Sequence, residues 1–288
     1  RDCALSWRAQ PPPTAAVIFG NENSGGPVKN GDAIMMMRDD LDAFLKELLT
    51  PQEFVDYGPN GLQIEGSERI ERIAFAVSAT AHSASIAVAR NAQALIVHHG
   101  LFWKFHGPKT LTGPFARRVF PLVRNHISLF AYHLPLDAHP DVGNAASLGR
   151  AVGLVEQQPF GDYQRCPTGI KGVFAEPLSA VALRDRLCTV LDHPVLLATP
   201  DERVIVRSAG IITGGANRDW PLALQDGLDA YITGEMSEHD WHEAQEAGIH
   251  MYAGGHNATE RFGVQALMER VRDTFNVECF FIPSDNPA

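Results

Sequence analysis

From residue 38 onward the apolar positions switch between two periods. Leu41, Phe44, Leu45, Leu48 and Leu49 recur at helical spacing, with Asp39 and Asp40 at the end where the helix dipole is positive. Residues 73–77, 95–99 and 127–133 are apolar runs of strand length, separated by helical patterns over 81–91 and 114–125, and a further helix is predicted over 143–152. Such alternation predicts right-handed crossovers and a largely parallel sheet.

The centre of the chain breaks this rhythm. A strand over 169–175, a helix over 179–191 with Ser179 as cap, and short strands over 194–197 and 204–206 read as a small α+β insertion. Alternation then resumes, with strands over 208–212, 230–233, 249–253 and 277–282 and helices over 221–226, 238–247 and 258–274. The run Gln93-Ala-Leu-Ile-Val-His-His-Gly is echoed by Asp229-Ala-Tyr-Ile-Thr-Gly-Glu, each with a helix before it and a helix and strand after it. The predicted fold class is therefore α/β, with two similar α/β units and a site between them. The expected division is a first unit over 37–160, an inserted module over 161–207 and a second unit over 208–288.

Residues 1–36 differ in kind. They carry Pro11-Pro12-Pro13 and Asn21-Glu-Asn-Ser-Gly-Gly26 and little periodicity, so they read as a disordered extension. Elsewhere the composition is that of a packed protein, with 45% hydrophobic and 20% charged residues among 288. A formal net charge of -10 without a dense Lys/Arg run argues against nucleic-acid binding. No apolar run reaches the ~18 residues a membrane helix requires. Cys3, Cys166, Cys188 and Cys279 lie far apart with no CxxC spacing, which suits a reducing cytoplasm.

The chemistry gathers where strands end. Ala94-Leu-Ile-Val-His98-His99-Gly100 delivers two adjacent imidazoles to a strand terminus, the position where open α/β sheets bind ligands. Adjacent strand residues face opposite ways, so both can serve one site only where the strand has ended. Two further strands end in His133-Leu-Pro-Leu-Asp137 and His256-Asn-Ala-Thr-Glu260, each with an acid four residues after the histidine. His256 and Glu260 share one helical face, whereas Pro135 predicts that the segment after His133 is not regular helix. Imidazoles and carboxylates without cysteine suit Zn, Fe, Mn, Ni or Co rather than a structural zinc. The donors exceed what one tetrahedral ion needs, so two divalent ions are expected, with Glu260 or Asp137 between them. Such pairs, about 3.5 to 4 Å apart, activate water for hydrolysis. Glu235, Glu238 and His239 follow a strand on the same rim, and one of them could be a general base or a partner that supports a ligand, with Glu238 and His239 the catalytic candidates; the alternative is simply a solvated helix start. Thr213-Gly-Gly-Ala216 could cradle a phosphate.

Taken together, Tyr57-Gly-Pro-Asn-Gly-Leu-Gln, His98-His-Gly-Leu-Phe-Trp103, His133-Leu-Pro-Leu-Asp-Ala-His139, Ile212-Thr-Gly-Gly-Ala216, Thr233-Gly-Glu-Met-Ser-Glu-His239 and Gly255-His-Asn-Ala-Thr-Glu-Arg-Phe-Gly263 resemble the Nif-three-like family, also known as GTP cyclohydrolase I type 2 homologues. The resemblance runs from about Met37 to the C-terminus. It implies a dinuclear metal centre in a toroidal hexamer, with His98, His99, Asp137, His256 and Glu260 as ligands, Glu260 bridging, and His133 beside the metals rather than on them. Asn257 stands where members often have another His. The family name implies a small-molecule substrate, GTP or a related nucleotide, opened by hydrolysis. The alternative is a metal-stabilised scaffold or regulatory partner without turnover.

Overall fold

The computed structural model describes residues 36–288, and the expected N-terminal extension lies outside the described residues apart from Met36. In chain order the elements begin with β1 (Met36–Met37), α1 (Arg38–Leu49), β2 (Gly61–Ile64), β3 (Arg69–Ile70), β4 (Arg72–Ser78), α2 (Ala81–Ala89) and β5 (Ala94–His99). Then come α3 (Gly113–Arg124), β6 (Ser128–Ala131), the single turn α4 (Leu134–Asp137) and α5 (Asn144–Ala151). The second half holds β7 (Leu154–Phe160), β8 (Gly169–Ser179), α6 (Ala180–Leu191), β9 (Leu196–Ala198), β10 (Ile205–Ile211) and α7 (Trp220–Gln225). It ends with β11 (Ala230–Thr233), α8 (Glu238–Ala247), β12 (His250–Ala253), α9 (His256–Phe275) and β13 (Glu278–Phe281). Among the described residues no helix is long and apolar enough to cross a membrane.

Two sheets carry the molecule. The first runs β13-β4-β5-β6-β2, parallel except for β2, which lies antiparallel on β6. Both of its faces are covered, so the central positions of β4 and β5, residues 73–77 and 94–97, are apolar without alternation. Ile73, Phe75 and Ile96 pack under α1 and α9, while Ala74, Leu95 and Val97 pack with Ala84, Ala87, Val119 and Leu122 of α2 and α3. Leu41, Leu45 and Leu49 of α1 are fully buried, each contributing roughly 1.5–3 kcal/mol of transfer free energy. Met36 is also buried and pairs with Ile70 through β1.

The second sheet runs β7-β8-β10-β11-β12-β9, with β10, β11 and β12 parallel and antiparallel strands on both sides. Residues 161–207 keep their α+β character but are fused into this sheet, supplying β8 and β9 as flanks of its parallel core. β7 carries no clear apolar alternation and contains Pro159, which is tolerated because β7 is an edge strand. The runs 204–206 and 208–212 form one strand broken by a bulge between Val206 and Ser208, where the Asp229 carboxylate accepts the N–H groups of Arg207 and Ser208. The chain then recrosses. α9 leaves β12 of the second sheet with Ala258 in that core, buries Val264, Leu267 and Val271 in the core of the first, and leads into β13.

The segment after His133 is a helical turn despite Pro135, correcting the expectation. Pro135 sits in the first turn of α4, where a missing N–H costs nothing, and the Leu136 and Asp137 N–H groups donate to the His133 carbonyl.

Just beyond α4, buried His139 accepts the N–H groups of Asp141 and Val142 on Nδ1, both at 3.1 Å. Burial depresses it from an ordinary 6.5 to about 4. The unfolded chain takes up this proton near pH 6.5 while the fold resists it until about pH 4, so its contribution to stability is full above pH 6.5 and is lost as pH falls through that window. His139→Asn, which keeps an acceptor but does not titrate, should flatten the acid limb of the stability curve by up to about 3 kcal/mol. Urea denaturation at pH 7.5 and 4.5 measures this; equal acid sensitivity in both proteins would refute it.

Candidate metal centre

Three elements from two sheets bring the site together. β5 ends in His98 and His99, α4 after β6 ends in Asp137, and α9 after β12 begins with His256 and Glu260. β5 does not end before the histidines, as sequence reasoning required; His99 still pairs with Ser78 in the ladder. The two rings nonetheless lie 4.6 Å apart between centroids. Glu260 accommodates both by offering one oxygen to each, Oε1 at 3.4 Å from His98 Nε2 and Oε2 at 3.2 Å from His99 Nε2. His256 Nε2 lies 3.2 Å from Glu260 Oε1, as the four-residue spacing on one helical face dictates. Asp137 Oδ1 lies 3.5 Å from His98 Nε2.

Every imidazole is held at Nδ1 by a different group. His98 donates to the Tyr132 carbonyl at 3.0 Å, His99 meets Ser78 Oγ at 3.0 Å, His133 meets Asp56 Oδ1 at 2.7 Å and His256 meets Glu235 Oε1 at 2.6 Å. Fixing Nδ1 sets the tautomer and aims the other nitrogen, the arrangement found behind metal-ligating histidines. Ligand atoms of His98, His99 and His133, of His99, His256 and Glu260, and of His98, Asp137 and Glu260 each lie within 4.8 Å of one another. His98 Nε2 and Glu260 Oε2 are buried without a hydrogen-bond partner. Orphaned polar atoms of this kind are costly unless something else satisfies them, and an imidazole nitrogen facing carboxylate oxygens is a donor set that fits a divalent cation.

The electrostatics agree. Burial opposes charging His98, but the nearby Asp137 and Glu260 carboxylates outweigh it and raise the imidazole to about 9. For His256 burial is again overcome, by hydrogen bonds and charge from Glu260 and Glu235, and it too rises to about 9. Burial wins at His99, which is lowered. Glu260 is driven well below the usual carboxylate range by His99, His98 and His256 despite its burial, whereas burial raises Asp137. Glu260 is thus the buried carboxylate that the raised imidazoles of His98 and His256 chiefly balance.

Around these residues the loops are shaped by close approach. Gly214 has φ +69°, and a Cβ there would stand 2.1 Å from Glu260 Oε1, so only glycine fits. Its N–H is committed to Thr259 Oγ1 at 3.1 Å, which leaves Thr213-Gly-Gly-Ala216 packed against the ligands rather than open as a phosphate cradle at that amide. Asn144 donates to Asp137 Oδ1 and accepts the Gly263 N–H, fastening α4 to α9 through α5. Glu235 reaches His256, but Glu238 and His239 do not join the cluster. Glu238 lies 3.3 Å from His242 and His239 3.4 Å from Asp240, all on exposed or capping positions of α8. Asp56 was missed by sequence reasoning. The signal was present next to the Gly58-Pro59-Asn60-Gly61 turn, whose Asn60 Oδ1 accepts the His133 N–H while Asp56 holds the ring.

A cleft of about 430 Å³ opens over these ligands, between the aromatic side chains of Tyr57, Trp103 and Tyr163 and the 212–219 loop.

Comparison with known proteins places this site in context. Residues 36–287 match the family Duf34/NIF3 (NGG1p interacting factor 3). The GTP cyclohydrolase 1 type 2 homolog of Vibrio cholerae is 40% identical over 251 residues, spanning 86% of this chain and 98% of its own length. The homolog of that name from Pasteurella multocida is 39% identical over 249 residues, with the same coverage of each chain. The solved structure of the protein ybgI, described as of unknown function, superposes with a TM-score of 0.81 at 36% identity, covering 88% of this chain and all of that one. With the match running across both sheets and the helix between them, the chain belongs to the Duf34/NIF3 family.

Proposed function

We propose that this protein is a metal-dependent hydrolase with a dinuclear centre. The observation that carries the reading is the set of four imidazoles, each anchored at Nδ1 and converging on Glu260 and Asp137, at the floor of an open cleft. His98, His99, Asp137, His256 and Glu260 would hold the ions, with the Glu260 carboxylate between the two sides of the cluster and His133 adjoining them. When bound, a divalent pair supplies Lewis acidity and an activated water. The chain's own contribution is to orient the imidazoles through Tyr132, Ser78, Asp56 and Glu235, and to keep Glu260 ionised in a dry setting. The relatives' name, GTP cyclohydrolase 1 type 2 homolog, suggests a nucleotide ring as the bond-breaking target. The scaffold alternative finds less support, because a cluster needed only for structure has no use for an adjoining cleft of about 430 Å³.

Elemental analysis of purified protein should find divalent metal, and His98→Ala and Glu260→Ala should each abolish most of it while the chain stays folded. Glu235→Gln, which loosens the hold on the His256 ring, should weaken metal affinity roughly 10–100-fold. Full metal content in both alanine variants would exclude this ligand set.

Metal uptake must also displace protons. His98 and His256, raised to about 9 in the metal-free protein, are protonated at pH 7 and must become neutral to ligate. Calorimetric titration with Zn²⁺ or Mn²⁺ in buffers of different ionisation enthalpy should show net proton release at pH 7 that disappears above about pH 9, with affinity rising across the interval. Affinity independent of pH between 7 and 9 would contradict the assignment of these two histidines.

A further inference from the structure

The cleft over the ligands is chemically one-sided. One wall is aromatic: Tyr57 and Tyr163 lie 5.1 Å apart between ring centroids, Trp103 and Phe105 stack at 5.5 Å with 24° between planes, and Tyr57 meets Phe105 edge-on at 6.5 Å. Phe105 is 67% exposed and Tyr57 39%, so these rings present their surface to the cleft mouth rather than to the core. On the loop opposite stands Asp219, half-buried, its carboxylate without a hydrogen bond or ion pair among the described residues. Its charge is felt at the Tyr57 phenol, which burial, the Tyr163 hydroxyl and the acids Asp56 and Asp219 push up to about 12. Among the described residues lining the cleft none is Lys or Arg.

An unpaired carboxylate lining the same cleft as an aromatic wall is a recognition device. A planar ring packs on the aromatic side chains, and the carboxylate selects ring edges that carry N–H donors or positive charge. We propose that this cleft binds a planar aromatic or heteroaromatic compound with an amidine-like donor edge, and that Asp219 determines specificity by accepting hydrogen bonds from that edge. An anionic group placed at Asp219 would instead meet repulsion, with no Lys or Arg among the described residues along the cleft to offset it. A nucleotide would thus be recognised here through its base, with its phosphates directed away from Asp219. This inference rests on the hydrolytic reading for the pocket's identity as a substrate site, and it adds the substrate's chemical class.

Three isosteric probes separate the contributions: benzamidine, which carries a cationic donor fork, acetophenone, which is neutral without a donor, and benzoate, which is anionic. Binding to the full chain, metal-loaded and EDTA-treated, is followed by ligand-observed NMR, with metal content measured on the same samples. Benzamidine should bind at least about tenfold more tightly than acetophenone, the scale of one charge-assisted hydrogen bond. Asp219→Asn should reduce that preference to within about threefold, and Phe105→Ala should weaken both probes while keeping their ratio. Asp219→Ser serves as a second variant should Asp219→Asn fail to fold, with thermal melting as the check. Equal binding of benzamidine and acetophenone to the unaltered chain, or a preference that survives removal of the carboxylate, overturns the proposal. Metal uptake without a benzamidine preference defeats the pocket alone. A preference that depends on Asp219 in a chain that takes up no metal supports the pocket and defeats the hydrolytic reading.

Discussion

Glu260 is a buried carboxylate one turn into a helix that joins two sheets, and burying such a charge costs several kcal/mol unless it is matched. Three histidines match it, and they come from both sheets: His98 and His99 from β5 of the first, His256 from the helix that leaves β12 of the second. Neither unit could satisfy this group alone. The position of α9 is therefore fixed at its start by charge and along its remaining turns by apolar packing of Val264, Leu267 and Val271. Glycines permit the approach that this demands. Gly214 passes against Glu260 where no Cβ fits, and a Cβ at Gly263 would meet Asn144 Oδ1 at 2.4 Å.

That dependence explains why the ligands sit where they do in the chain. In a sheet buried on both faces, side chains at the carboxyl ends of parallel strands are the ones left free to meet a ligand. β5 and β12 both end there, and the turn or helix that follows each parallel core strand carries the remaining donors. The antiparallel strands β7, β8 and β9 contribute no donor atom to the metal cluster; they widen the second sheet and bring the 161–168 loop, with Tyr163, to the cleft.

Much of this was readable from residue order because the patterns were local. A strand pattern ending in His98-His99, and a His256–Glu260 spacing that fits one helical face, require no knowledge of the rest of the chain. The groups that orient the imidazoles could not be read that way. Asp56 is 77 positions from His133, so only folding reveals that pair, and Glu235, which stood out on the rim as a candidate partner, is 21 positions from the His256 it holds. Glu238 and His239 attracted notice by residue type, yet their side chains turn to neighbours on their own helix, where Asp240 completes the Ser237 capping box. Pro135 misled for a related reason: proline forbids a helix interior but not a first turn, and a four-residue helix is little more than a first turn. The weak pattern of β7 has an equally physical origin, since an edge strand with most side chains outside the core has no reason to alternate.

The balance of charge within the cluster also separates two roles that residue type alone would merge. Asp137 and Glu260 are both buried acids beside His98, but Glu260 faces three imidazoles and stays ionised, while Asp137 accepts from Asn144 and Thr213 and is raised by burial. Glu260 thus supplies a permanent negative charge around which cations could assemble. Asp137 is the adjustable member, whose charge depends on what cation stands beside it. Protons on His98 and His256 can satisfy that demand only in part, because they leave His98 Nε2 and Glu260 Oε2 without hydrogen-bond partners. Cations bound among these atoms would satisfy the same charges and both orphaned atoms together, which is why the cluster is better suited to holding metal than to an ion-pair network of its own.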